Sequence, residues 1–285
     1  MKTLLEQIGN TPLIKVEEHN GSKIFAKMEG FNPGGSIKDR IALNMINNAE
    51  RLGVIKKGDT LIEPSSGNTG VGLAMVGAMK GYKVKIIMPE TTSHEKIKMI
   101  KAFGGEAILV ESLRYRKFVL DDVRKMVKEE GNLIFLNQYE NSFNPLAHFK
   151  GTAEEIIKQM KGKRIDYFVA GMGTGGTITG VGKRLKEKYP KMKIIGVQPI
   201  QGQSIEGLRS LKDGFIPPII DFELIDEIYD LEAIKAIETR EEIAKKGILV
   251  GPSSGAALYV AREKSKENPK VNIVTIFPDR GERYL

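Results

Sequence analysis

The chain has 285 residues, no cysteine and no tryptophan, and a formal charge of +8 from 44 Lys and Arg against 36 Asp and Glu. Its 41% hydrophobic and 28% charged residues are those of a soluble globular protein and exclude disordered and collagen-like classes. The missing cysteines exclude disulfides, zinc–thiolate and iron–sulfur sites and a thiol nucleophile, while no apolar run nears the ~18–20 residues of a membrane span and no signal segment opens the chain, so a cytoplasmic protein without membrane contact is expected.

In chain order, a strand is predicted over 23–28 and a helix over 39–52. The helix carries Ile41, Leu43, Met45, Ile46 and Ala49 on its apolar side and is stopped by Gly53. Strand 60–62, helix 68–79, strand 83–88, helix 94–103, strand 107–110 and helix 117–129 follow. A second series runs through helix 147–160, strand 167–170, helix 176–188 and strand 193–197. It closes with strand 226–231, helices 233–246 and 254–264, and strand 272–276. Strands alternating with crossover helices predict an α/β fold whose mostly parallel sheets are covered on both faces. Two series joined near residues 141–145 predict two such domains with a cleft between them.

Glycine collects at the predicted strand-to-helix turns: Gly34-Gly35-Ser36, Ser65-Ser66-Gly67-Asn68-Thr69-Gly70, Gly171 to Thr177, and Gly251-Pro252-Ser253-Ser254-Gly255. In open α/β sheets ligands bind at the carboxyl ends of the strands, where these turns lie. Gly171-x-Gly173-x-x-Gly176 matches the dinucleotide fingerprint formally. The next strand, Ile194 to Gln198, lacks the acidic residue that would hold a ribose about 20 residues on, so that reading fails. Gly251-x-Ser253-x-Gly255 has the form of a nucleophile elbow, but a hydrolase histidine would have to follow it, and His19, His94 and His148 all precede it. These histidines also lack metal-ligand spacing and read as surface or capping residues; no metal is expected. A Walker A loop fails at Gly182-Lys183-Arg184.

What survives is a nest of Gly and Thr amides at a helix N-terminus, suited to a phosphate, with Ser/Thr/Asn loops suited to a carboxylate. Lys38 begins a helix beneath the Gly34-Gly35 turn, where the helix dipole helps lower its pKa. A lysine and a phosphate nest are the pair that pyridoxal 5′-phosphate requires. The 32 lysines are scattered, and the densest stretch, 183–193, is interleaved with glutamate. There is no basic stripe, so a solvated surface is expected and no nucleic-acid partner. Abundant Lys, Glu and Ile without Cys also point to a thermophile.

At these residues the sequence resembles the cysteine synthase (O-acetylserine sulfhydrylase) family of fold-type II pyridoxal-phosphate enzymes. The matching stretches are Gly9 to Leu13, Asn32 to Arg40, Glu63 to Gly70, Met88-Pro89-Glu90, Asn137-Gln138, Gly173 to Thr177, Gly251 to Gly255 and Pro278 to Leu285. The short segment Gly202 to Arg209 is more similar to the B-type members. The resemblance implies a tryptophan synthase β-like fold with its active site in the cleft. Residues 36–144 would form a smaller domain, and 1–35 with 145–285 a larger one that carries the phosphate nest.

The resemblance also implies roles. Lys38 forms an imine with the cofactor and, once displaced by the substrate amine, takes the Cα proton. Gly173, Thr174, Gly175, Gly176 and Thr177 hold the phosphate, Asn68 meets the ring hydroxyl, and Ser253 faces the pyridine nitrogen. Ser65, Ser66, Asn68, Thr69 and Gln138 surround the substrate carboxylate. The implied reaction is a β-replacement in which O-acetylserine loses acetate, leaving an α-aminoacrylate that sulfide or thiosulfate attacks to give cysteine. A homodimer is implied as well. Ser65 departs from the family's usual Thr but keeps the hydroxyl, and Thr91-Thr92-Ser93 replaces its usual Met-Ser. The chain ends sooner than its relatives, which implies a more open C-terminal edge of the cleft. Arg209 is either a plain surface arginine or the reader of an anionic leaving group, since some members use O-phosphoserine and a guanidinium suits phosphate. Arg114-Tyr115-Arg116-Lys117 reads as a basic loop of unassigned role. O-phosphoserine sulfhydrylase, cystathionine β-synthase and serine/threonine dehydratase remain the alternatives on this fold.

Overall fold

The structure is a computed structural model that describes residues 3–285, with the side chains of residues 114 and 116–118 outside the description. Its strands are β1 Leu13–His19, β2 Ser22–Met28, β3 Thr60–Pro64, β4 Lys83–Pro89, β5 Glu106–Val110, β6 Leu133–Phe135, β7 Tyr167–Gly171, β8 Lys193–Pro199, β9 Glu227–Leu231 and β10 Asn272–Phe277. The helices are α1 Lys38–Arg51, α2 Asn68–Lys80, α3 His94–Ala102, α4 Ser112–Glu129, α5 Phe143–Ala147, α6 Ala153–Gln159, α7 Gly176–Lys188, α8 Ala233–Ala244 and α9 Pro252–Glu267. Short 3-10 turns fill several of the connections.

The strands form two sheets. One has the order β1-β2-β10-β7-β8-β9 and the other β5-β4-β3-β6. Every pairing is parallel except that of β1 with β2. Parallel strands are joined by crossovers, so helices cover both faces and the strands read as nearly unbroken apolar runs. In β7, Tyr167 and Val169 belong to one core and Phe168 and Ala170 to another. Alternate residues therefore feed opposite faces of the larger sheet. The smaller sheet is packed the same way, with Ile86, Leu61 and Met45 on one side and Ile62, Ile87 and Val123 on the other.

Several elements depart from the sequence expectation. The strand β1 was not predicted, although its hairpin is carried by Asn20 and Gly21 at φ +49° and +76°, the pair that a two-residue type I′ turn demands. It is an edge strand, and Lys15, Glu17 and Glu18 break its apolar alternation. The three-residue β6 is too short to announce itself by periodicity. The predicted loop 114–117 is helical, because α4 begins at Ser112 rather than at residue 117; the side chains of Arg114, Arg116 and Lys117 lie outside the described residues. The predicted helix 147–160 begins earlier, at Phe143, and is interrupted by a π turn over His148–Thr152. Among the described residues, no helix is long and apolar enough to cross a membrane.

Candidate active site

The turns that leave the carboxyl ends of β3, β7 and β10 enclose a cavity of about 160 Å3 between the two sheets. It is lined by Lys38, Ser65 to Thr69, Gln138, Gly173 to Gly175, Thr177, Arg209 and Ser253. The fold thus gathers into one place candidates spread over more than two hundred residues of sequence.

Lys38 is the first residue of α1 and opens into this cavity. Among the described residues its Nζ has no hydrogen-bond or ion-pair partner. Burial pushes the pKa of its ammonium down, and the Asp279 carboxylate pulls it partly back up. A neutral amine is a base and a nucleophile, whereas an ammonium is neither. The start of α1 is anchored beneath it. Arg40 donates from Nε to Glu29 at 2.6 Å and from Nη1 to Glu155 at 2.7 Å, and Glu155 also meets Lys27 at 2.6 Å. Asp39 Oδ2 accepts from the Gly34 amide at 2.5 Å, and burial raises its pKa to about 7.

The nest lies where β7 runs into α7. The first turn of a helix leaves its amides without intrahelical acceptors, and the macrodipole makes that end positive. Gly175, at φ +86°, is the left-handed residue that turns the chain into α7. A Cβ on it would strike Ile220, and one on Gly176 would strike the Asn144 amide. At Gly175 and Gly176 the cradle therefore exists only as bare backbone. Asn144 is a residue that sequence reasoning missed. It donates from Nδ2 to Gln138 O at 2.7 Å and to Thr174 Oγ1 at 3.2 Å, and so ties the nest to the substrate side of the cavity.

His148, expected at the surface or at a cap, is buried instead. Its Nδ1 bonds with Thr152 Oγ1 at 3.0 Å, and its Nε2 faces Thr177 Oγ1 at 3.4 Å. Burial, followed by the charges of Lys38 and Arg40, drives its pKa well below the usual value, so the ring is neutral. The π turn brings it there. Gly180 of α7 leaves room for the turn, since a Cβ would collide with Pro145 O and crowd His148.

The loop 65–69 is held differently. Ser65 Oγ accepts from the amides of Gly67 at 3.2 Å and Gly70 at 3.0 Å, so its hydroxyl is engaged in shaping the loop. Thr69 Oγ1 donates to Gln138 Oε1 at 2.7 Å, and Gln138 Nε2 donates to Pro64 O at 3.0 Å. Beneath them Glu63, also missed from sequence, accepts from the amides of Asn137 at 2.9 Å and Gln138 at 3.0 Å. Burial raises its pKa to about 8, against the pull of those two amides. Ser66 is exposed at the mouth.

Ser253, near the start of α9, lines the cavity and its Oγ has no partner among the described residues. The half-buried Arg209 guanidinium lies 5.5 Å from the Tyr139 ring centre and 5.1 Å from that of Phe215, with no carboxylate partner among the described residues. Across the mouth, buried Lys96 of α3 pairs with Glu206 and sits 4.6 Å over the Tyr284 ring. Sequence reasoning assigned neither residue, because the pairing joins segments 110 residues apart.

A family model of pyridoxal-phosphate dependent enzymes matches residues 4–279. The chain is similar to a cysteine synthase of Staphylococcus aureus, 45% identical over 98% of this chain and 93% of that one. It is also similar to cysteine synthase B of Escherichia coli, 44% identical over 100% of this chain and 95% of that one. Among solved structures, a hydrogen sulfide-producing enzyme from Fusobacterium nucleatum superposes with a TM-score of 0.94 at 42% identity, each chain covered completely.

Proposed function

The chain belongs to the pyridoxal-phosphate dependent enzymes, and from that premise we propose a cysteine synthase that converts O-acetylserine and sulfide into cysteine and acetate. The observation that carries this reading is Lys38, an amine without a partner among the described residues, opening into the same cavity as a backbone-amide anion nest. These residues fit pyridoxal 5′-phosphate, which needs both an amine partner and a phosphate anchor. When bound, the cofactor supplies an electron sink for bonds breaking at the substrate's Cα and Cβ.

The rest is work for the chain's own groups. Gly173 to Thr177 hold the phosphate with backbone amides, and neutral His148 steadies the Thr177 hydroxyl behind them. Asn68 and Ser253 line the cavity where they would meet the ring hydroxyl and the ring nitrogen. A serine there, unlike a carboxylate, would leave that nitrogen unprotonated. Ser66, Asn68, Thr69 and Gln138 orient the substrate carboxylate, with Ser65 shaping their loop. Lys38 Nζ, its pKa lowered by burial, accepts the Cα proton as general base. The Cβ–O bond breaks as acetate leaves, and the Cβ–S bond forms with the incoming sulfide as Lys38 Nζ returns the proton to Cα.

The test is direct. Holoenzyme should absorb visible light and form cysteine from O-acetylserine and sulfide, and Lys38→Ala should lose both properties. A native protein that takes up no cofactor would sink the reading. Arg209, with no carboxylate beside it, supports a second donor, O-phosphoserine. Arg209→Ala should then lose roughly tenfold more kcat/KM on O-phosphoserine than on O-acetylserine, the worth of one charge-assisted contact. Equal loss on both would leave Arg209 a packing residue.

The two sheets support a division into a unit of residues 36–144 and a unit of 1–35 with 145–285, which two-step proteolysis would expose. The family resemblance supports a homodimer, checked by light scattering, and thiosulfate as an alternative sulfur donor. The cysteine-free, lysine-rich composition supports a cytoplasmic protein adapted to high temperature.

A further inference from the structure

Asn68 is gripped at both ends of its amide, by an acceptor at one end and a donor at the other. Its Nδ2 donates to Asp279 Oδ2 at 2.6 Å, and its Oδ1 accepts from Arg283 Nη1. Asp279 Oδ2 accepts from both Asn68 and Tyr284, and a guanidinium only donates, so a flipped amide would set its NH2 group against Arg283 and its oxygen against Asp279. An amide with neutral neighbours is free to make either choice. Asn68 is not.

Both clamping groups are themselves held. Arg283 Nη2 donates to Gly34 O, and the guanidinium fits because a Cβ on Gly35 would lie only 2.5 Å from that nitrogen. The Tyr284 hydroxyl donates to Asp279 Oδ2 and also lies beside Asn68. A backbone bridge pairs Asp279 with Ser36, two residues before Lys38, and a Cβ on Gly251 would collide with Asp279 Oδ1. The last residues of the chain are therefore wired to the turn that presents Lys38 and to the first residue of α2.

We propose that Asp279 and Arg283 are positioning residues that lock the Asn68 amide in one orientation and keep it a hydrogen-bond donor toward the ring hydroxyl of the bound cofactor. This rests on the assignment of Asn68 to that hydroxyl in the reading above. A donor stabilises the ionised ring oxygen, whereas an amide oxygen in its place would favour the protonated form. The orientation of Asn68 is consequently legible in the absorption of the cofactor itself.

The experiment uses holoenzyme of Asn68→Ala, Asp279→Asn, Arg283→Gln and the double variant Asn68→Ala/Arg283→Gln. Two properties are read: the visible spectrum of the bound cofactor as a function of pH, and the rate at which cofactor is lost on dialysis. A glutamine amide can accept as well as donate, so Arg283→Gln removes the donor-only partner of Asn68, and Asp279→Asn likewise adds a donor at the other end. Each should shift the spectrum toward that of Asn68→Ala and speed cofactor loss by up to roughly tenfold, the effect of one charge-assisted hydrogen bond. The double variant should be no worse than Asn68→Ala alone, because the clamp acts only through that residue. A spectrum unchanged in Asp279→Asn and Arg283→Gln but altered in Asn68→Ala overturns the clamp and spares the cofactor assignment. An added loss in the double variant also overturns it. No change in Asn68→Ala overturns the assignment and the clamp together. Should Asp279→Asn melt early by circular dichroism, Arg283→Gln carries the test.

Discussion

Two turns of the same kind serve the cavity in opposite ways. Both leave the carboxyl end of a parallel strand and enter a helix, β7 into α7 and β3 into α2. The first turns on bare backbone at Gly175 and Gly176, packed so closely that Ile220 and Asn144 fill the space where their side chains would stand. The second is built from side chains: Ser65 braces the loop, Thr69 leans on Gln138, and Glu63 holds the Gln138 segment from below. The difference follows from the ligands each would serve. A doubly charged phosphate that stays bound is matched by fixed dipoles, which need no rearrangement. A carboxylate that comes and goes with every turnover is matched by hydroxyls and amides that can exchange partners.

That contrast can be broken. Gly176→Ala puts a methyl group into the Asn144 amide, and overpacking of about 1–3 kcal/mol predicts up to a hundredfold weaker cofactor retention with little change in KM for the amino acid. Equilibrium dialysis decides it, and unaltered retention would mean that the cradle is softer than its packing. Gln138→Ala should do the reverse. It orphans the Thr69 hydroxyl and Pro64 O, raises KM for O-acetylserine roughly tenfold, and leaves the cofactor spectrum alone. If the spectrum moved instead, the two turns would not be separable.

The smallest effect concerns two buried carboxyl groups, Asp39 at the start of α1 and Glu63 beneath the β3–α2 turn. Asp39 and Glu63 have folded-state pKa values raised to about 7 and about 8 by burial, above the ordinary 3.8 and 4.5. Between those limits the folded chain holds protons that the unfolded chain has released. The contribution of these two groups to stability is therefore greatest at low pH and is lost as pH rises toward 8. Asp39→Asn removes one of the two groups while leaving an oxygen for the Gly34 amide. Followed by circular dichroism, the change in Tm from pH 5 to pH 8 should be a few degrees more favourable in Asp39→Asn than in the unaltered protein. A slope equal to that of the unaltered protein would show Asp39 ionised throughout.

Much of this was legible before folding. Lys38 stands out among 32 lysines because it follows Gly34-Gly35 instead of lying on a polar helix face. The nest is visible because Gly and Thr at a helix start have a local meaning. The β1 hairpin was equally local, signalled by Asn20-Gly21, and went unread because its charged edge strand breaks the expected alternation. Other residues carry no local signal. Nothing near Asn144 in sequence says that it faces Gly176, and nothing near His148 says that a π turn buries it against α7. Asp279 and Arg283 stand in a recognisable motif, yet their role depends on an amide more than two hundred residues away.

By itself the sequence determined the alternation of strands and helices, the glycine turns and the residue types offered at them. Periodicity, capping and turn chemistry act over a few residues and are written in them. Only the tertiary structure decided which groups meet: Asn68 with Asp279 across 211 residues, Lys96 with Glu206 across 110, and the Lys38 amine with no partner among the described residues, in the cavity. Those meetings depend on strand order and helix packing, which arise when burial of whole sheets outweighs the entropy of bringing distant segments together.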